Sequence, residues 1–343
     1  VNEWLSDYGL FLAEAVTLTV VAVAVIAVAA KGRGSGQARS RLRIEELNGR
    51  YRARQRRLKL ATLDKKRRKL AQKAFKRDDK HSDRQPGGER RATVWVIDFH
   101  GDIKASGTAR LAEEVSLLIE ASEPGDEVVV RLESAGGLVH AYGLAAAQLD
   151  RLRQAGVSTT VCVDKVAASG GYMMACCADR VQAAPFAVLG SIGVVAQLPN
   201  LHRLLKRHDV DVELLTAGRY KRTLTVFGEN TEEGREKFVD ELENTHALFK
   251  RFVGERRPGL DIEAIATGET WYGSEAVEKG LIDAVGTSEA YLLERMARAR
   301  VLSVALEKRR GMAERVGLAA SVGVERSLRR LYETLEASGW QRR

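Results

Sequence analysis

Cysteine and proline are scarce in this chain: three of the first and five of the second in 343 residues. So little proline excludes a collagen-like or proline-rich chain. An odd, small number of cysteines excludes a disulfide-stapled scaffold. Cys162, Cys176 and Cys177 sit in apolar surroundings and read as small core residues rather than a metal site. Positive charge is missing from residues 1–30, which carry Glu3, Asp7 and Glu14 and sum to −3. It is concentrated immediately afterwards. Residues 31–92 hold 23 Lys/Arg against 7 Asp/Glu, a net of +16, which leaves −4 for the other 251 residues. The overall +9 therefore belongs to one segment, and nucleic-acid binding by the whole protein is excluded on charge. With 45% hydrophobic residues the chain can bury a core, so disorder throughout is excluded as well. The length suits one large or two medium domains.

From Leu10 to Ala30 the only charge is Glu14. Twenty-one helical residues at 1.5 Å rise reach roughly 30 Å, the thickness of a bilayer's hydrocarbon core. The flank before this run is acidic, whereas a secretory signal carries a positive one. A retained N-terminal transmembrane helix is the expectation, with a cleaved signal or a core helix as alternatives. Lys31, Arg33, Arg39, Arg41 and Arg43 follow, which by the positive-inside rule puts the rest of the chain on the cytoplasmic side. Residues 38–80 look helical without a clean apolar face, and Asn48-Gly49 interrupts the pattern. They read as a solvated charged helix or as a basic helix on anionic lipid. Tyr51 and Phe75 alone are too few aromatics for base stacking. Residues 81–91 read as a linker.

From Ala92 strands and helices alternate. Strands are expected at 92–99, 127–132, 158–164, 180–184, 187–189 and 211–215. Helices are expected at 108–122, 138–155, 170–178 and 230–256, the last with Asn230 as N-cap and Glu233 as its capping-box partner. Phe238, Leu242, Leu248, Phe249 and Phe252 form that helix's apolar side. Such alternation argues for an α/β fold with a largely parallel sheet. The tail, 301–343, reads as a basic helix. The chain thus divides into an anchor (1–31), a basic helical linker (32–91), a catalytic domain (92–300) and a helical tail (301–343).

Three segments invite chemistry. Glu133-Ser134-Ala135-Gly136-Gly137 follows a strand, and its two glycines let backbone N–H groups face outward, where they would hold an oxyanion. An ordinary turn is the alternative. In Ala167-Ala168-Ser169-Gly170-Gly171-Tyr172 a serine stands at a helix N-terminus among small residues, as a nucleophile or as a simple N-cap. In Ala217-Gly218-Arg219-Tyr220-Lys221-Arg222 a lysine is either surface or a base, the latter only if its neutral form is favoured. His140, His202 and His208 have no context that marks a catalytic triad. No His/Glu or Cys/His spacing matches a metal site, and there is no GxGxxG or Walker loop, so no cofactor is expected.

The run SAGG, then ASGGY, then GRYK 52 residues after the serine resembles the membrane-bound Ser-Lys peptidases of the signal peptide peptidase A and SohB family. WYGSEAVEKGLIDAVG (271–286) resembles that family's late segment, and the layout of anchor and basic linker is nearest to its SohB branch. The resemblance implies a ClpP/crotonase-like fold and a serine endopeptidase. It puts the nucleophile at Ser169 and the general base at Lys221. It puts oxyanion donors at Gly136 or Gly137 and at Gly170. The sequence departs at Ala135, where the family usually carries proline. The resemblance also implies peptide or protein substrates, a bacterial inner-membrane location with lipid contact, and a homo-oligomer in which a neighbour can complete the site. Relatives work on the outer face of that membrane, against the charge rule. A crotonase-type acyl-CoA enzyme and a catalytically silent membrane scaffold are the competing readings.

Overall fold

The computed structural model describes residue 14, residues 40–82 and residues 90–308. The apolar stretch 10–30 and the tail beyond residue 308 lie outside them, and no described helix is long and apolar enough to cross a membrane. Residues 44–305 form one compact unit; the described residues Ser40–Arg43 and Leu306–Lys308 belong to a second.

The larger unit is built on a parallel sheet. Its strands are β2 (Thr93–His100), β3 (Glu127–Glu133), β4 (Ser158–Val163), β6 (Arg180–Ala183), β9 (Ala284–Val285) and β10 (Arg300–Lys308), in the order β10-β2-β3-β4-β6-β9. Every one of these pairings is parallel. Parallel pairing needs crossovers, and helices at Thr108–Ala121 (α3), Val139–Gln154 (α4) and Gly170–Ala175 (α5) supply them. The strands are covered on both faces, which is why they read as continuous apolar runs. Ile97, Phe99, Val128, Val130 and Leu132 pack on one side with Leu111, Val115 and Leu149. Val94, Val96, Val129 and Cys162 pack on the other with Leu47, Tyr291, Leu292 and Val301. The three cysteines are free and buried, as expected, and burial pushes the Cys162 thiol up to about 12.

Several expectations need correction. Residues Ser40–Glu46 (β1) are a strand, not a helix. Asn48-Gly49 lies inside the first turn of the helix Leu47–Ala61 (α1) rather than breaking it. The buried Asn48 amide donates to Met296 and Ala299 carbonyls and its oxygen accepts from Val301 N–H, so it fastens the basic segment to the domain. The head of the expected helical tail is β10, whose Val301 and Leu302 add to β2. No strand forms at 211–215: Val212, Leu214 and Leu215 are exposed and no neighbouring strand offers them an edge.

The long helix (α6) runs Glu232–Arg256 and is capped by Thr231, whose hydroxyl accepts from Gly234 N–H at 3.1 Å. Asn230 instead turns back to Thr225, and Glu233 pairs with Arg219. Phe249 and Val253 are its buried residues, whereas Leu248 is exposed. Its last turn is clamped by Arg256 to Asp150 of α4 at 3.0 Å, and the next residue, Arg257, pairs with Asp283 at 2.9 Å. Burial alone would raise Asp150; the Arg256 pair outweighs it and holds the carboxyl below its usual range. The stability this confers is present above the unfolded carboxyl value and is lost as pH falls through the native one. Asp150→Asn, which removes the buried charge facing Arg256 and leaves it the exposed Glu255 at 3.6 Å, is expected to cost about 3 kcal/mol at neutral pH. Thermal melts should show the gap to the wild type closing as the pH falls below the ordinary carboxylate range.

Candidate active site

The first two sequence motifs meet through the backbone. After β3 the chain forms an isolated parallel bridge, Ser134 against Ala167 of the short strand β5 (Val166–Ala168). Ser134 N–H donates to Val166 O at 2.8 Å, and Ala168 N–H donates to Ser134 O at 3.0 Å. β5 also pairs with β7 (Val188–Gly190), which pairs with β8 (Thr270–Tyr272), a small sheet beside the main one. The ends of β3, β5 and β7 therefore converge on Ser169.

Ser169 is the residue between β5 and α5, with φ 52° and ψ −119°. A serine has little reason to adopt the left-handed region, and the strain is of order 1–3 kcal/mol. Two contacts hold it: its N–H donates to Gly190 O at 2.8 Å and its carbonyl accepts from Met173 N–H at 3.0 Å. Its side chain makes no capping hydrogen bond. The simple N-cap alternative therefore fails, and Ser169 is half-buried with its hydroxyl not used by the helix it precedes. The result is a strained turn from strand to helix.

Gly136 lies directly against this turn. A Cβ there would stand 2.7 Å from both Ser169 Cβ and Gly170 N, and its φ of 88° independently requires glycine. Its N–H donates to Ser134 Oγ at 3.1 Å. Among the described residues no acceptor takes the N–H of Gly137 or of Gly170, the first residue of α5. Ser169, Gly136 and Gly170 are thus brought together, with open backbone donors beside the serine.

Lys221 is placed differently. It closes a turn by donating its N–H to Gly218 O at 3.1 Å, and its side chain is exposed. No hydrogen bond joins it to Ser169 among the described residues. Arg219, which would favour a neutral lysine if it were a free neighbouring charge, is paired with Glu233 and lies over the Tyr220 ring. His140 is exposed on α4, and His246 Nε2 meets Ile192 O at 3.2 Å.

Three parts of the site were missed in the sequence. One is Gly190-Ser191, whose φ values of 92° and 51° turn the chain so that Gly190 O meets Ser169 N–H. A Gly-Ser-Ile-Gly run after a short strand was the available signal. The others are Ser134 as a side chain and Tyr142, whose pairing across a strand end and a helix leaves no mark in the sequence.

Comparison with known proteins gives a consistent result. The N-terminal model of peptidase family S49 matches residues 3–149, and the peptidase family S49 model matches residues 151–302. A probable protease SohB of Haemophilus influenzae is 57% identical over 229 residues, covering 67% of this chain and 65% of that protein. Another, from Buchnera aphidicola, is 50% identical over 239 residues, covering 70% of this chain and 71% of that one. The chain thus spans about two thirds of the length of these relatives. Among solved structures, the 1510-N membrane protease specific for a stomatin homolog from Pyrococcus horikoshii covers 60% of this chain, and this chain covers 79% of it. It matches at 14% identity and TM-score 0.37. A ClpP1 from Listeria monocytogenes matches at 14% identity and TM-score 0.36, with 59% of this chain and 94% of that one covered. Scores this low add no weight; the sequence matches carry the conclusion. With its mixed α/β fold, the chain belongs to peptidase family S49.

Proposed function

We propose that this protein is a membrane-anchored serine endopeptidase that works through an acyl-enzyme, with Ser169 as nucleophile and Lys221 as general base. The observation that carries the reading is the strained, uncapped Ser169 beside Gly136 and Gly170. Ser169 Oγ attacks a peptide carbonyl while neutral Lys221 takes its proton. The oxyanion is held by Gly170 N–H and by the Gly136–Gly137 turn, at roughly 3–4 kcal/mol per donor. Protonated Lys221 then passes its proton to the leaving amine, the C–N bond breaks, and water hydrolyses the ester. Membership of a peptidase family sets aside the acyl-CoA reading. Labelling by a serine-reactive phosphonate separates an active peptidase from a silent scaffold on the same fold.

Lys221 has to come to Ser169 for this chemistry, and the segment that carries it is short of cover. Val195, Leu204, Val212, Leu214 and Leu215 are exposed within 193–231, with Val195 at 91% and Leu215 at 88%. A run of this size is unusual on an isolated subunit and supports a homo-oligomer in which a neighbour packs on it. The same packing would bury Lys221 and favour its neutral form.

Residues 10–30 are proposed to anchor the protein in a bacterial inner membrane. The hairpin of α1 and the helix Lys65–Ser82 (α2) supports lipid contact: Leu58 and Leu70 are exposed among lysines and arginines. Deleting residues 1–31 is expected to release the protein from washed membranes. Retention that high salt reverses would move the attachment to the basic hairpin. For the catalytic domain the charge rule favours the cytoplasmic side, whereas the resemblance to relatives favours the outer face.

A further inference from the structure

Ser134 and Tyr142 are buried polar side chains, 2% and 0% exposed, that the acyl-enzyme chemistry does not use. Their hydroxyl oxygens lie 2.6 Å apart. Tyr142 OH donates to Asp102 O at 2.8 Å, and Ser134 Oγ accepts from Gly136 N–H at 3.1 Å. Each hydroxyl has one proton, so the order is forced. Gly136 N–H donates to Ser134, Ser134 O–H donates to Tyr142, and Tyr142 O–H donates to the Asp102 carbonyl. Burial, against the Ser134 hydrogen bond, raises the Tyr142 phenol above its ordinary range, so this donor persists at any working pH. The ring of the same tyrosine lies against the other side of the site: a Cβ on Gly170 would stand 2.3 Å from Tyr142 Cγ. Tyr142 therefore reaches Gly170 by direct ring contact and Gly136 through Ser134. At Ala135 no proline stiffens the turn; the hydrogen-bonded chain holds it at Gly136, and Leu138 N–H to Ile103 O at 2.9 Å holds its far end.

We propose that Tyr142, acting through Ser134, is a positioning residue for the oxyanion site: its ring sets Gly170 and its hydroxyl sets the Gly136–Gly137 turn. This rests on the reading of Ser169 as nucleophile. An oxyanion exists only after attack, so a misplaced donor lowers kcat and leaves substrate binding alone.

The test uses the full chain in detergent and the variants Tyr142→Phe, Ser134→Ala and the double variant. Activity is expressed per serine titrated to completion with a fluorophosphonate, which corrects for any unfolded fraction. Tyr142→Phe keeps the ring on Gly170 and removes only the hydroxyl. The expected result is a fall in kcat of roughly tenfold to a hundredfold with KM unchanged, as a small misplacement of a catalytic group produces. A peptide aldehyde, whose adduct with Ser169 places an oxygen at the donors, should lose affinity by a similar factor. The pH profile should keep its shape, and Ser134→Ala added to Tyr142→Phe should cost little more, because both cut one chain. A kcat per titrated serine within twofold of wild type, or a loss confined to KM, overturns the proposal. Ser169→Ala run alongside separates the two readings. If it is inactive while Tyr142→Phe is normal, only the positioning role falls. If it turns over like wild type, the nucleophile reading falls and takes the positioning role with it.

Discussion

Ser169→Ala is expected to abolish peptide cleavage, by at least roughly a thousandfold in kcat, while the fold survives. The activity loss follows from the covalent step, which no other hydroxyl can take over: Ser134 is buried and already bonded on both sides. Survival of the fold follows from what the side chain does not do. It makes no capping hydrogen bond, so removing it breaks nothing in α5 and stability should stay within about 0.5 kcal/mol. Alanine keeps the strained φ of 52°, whereas Ser169→Gly should be equally inactive yet more stable by about 1 kcal/mol, because glycine adopts that conformation freely. Thermal melts and turnover of one peptide by the three proteins check both halves. Cleavage by Ser169→Ala at the wild-type rate would remove Ser169 from the mechanism.

Lys221→Arg is the second large effect. An arginine keeps the charge and most of the length but does not deprotonate, so it cannot accept the serine proton. The variant should be nearly as inactive as Lys221→Ala. In the wild type, kcat/KM should rise with pH as the neutral amine becomes populated. Arg219→Gln should leave that rise almost in place, because Arg219 is already paired with Glu233. Profiles of kcat/KM against pH for these proteins decide the matter. Near-normal activity in Lys221→Arg would eliminate the dyad and turn attention to a histidine, with His140 next to the Gly-Gly turn tested first.

The apolar content of β2, β3 and β4 was legible because strands buried on both faces need largely apolar runs, and 92–99 and 127–132 are mostly apolar, with Val and Ile prominent. The glycines at 136 and 170 and the serine between β5 and α5 were legible for a similar reason: a sharp turn restricts which residue types fit. Residues 211–215 misled because alternation reports a face that wants cover without saying whether a partner strand is there. Val210, Val212 and Leu214 alternate well and are all exposed.

Local chemistry also has rivals that only three dimensions rank. Asn230 and Thr231 are both good caps; Thr231 has the role because Asn230 is needed by the Thr225 backbone. Asn48 read as a breaker, and the Met296, Ala299 and Val301 backbone made it a fastener. By itself, then, the sequence determined the α/β class, the strands β2, β3 and β4, the helix that follows Ser169 and the residue types at the turn, since each depends on neighbours within a few positions, whereas the short strand β5 before Ser169 was not read from it. Tertiary structure decided that Ser134 and Tyr142 share a proton chain beside Gly170, and that the Lys221 segment stands exposed. Both depend on which distant surfaces meet, and a periodicity carries no information about that.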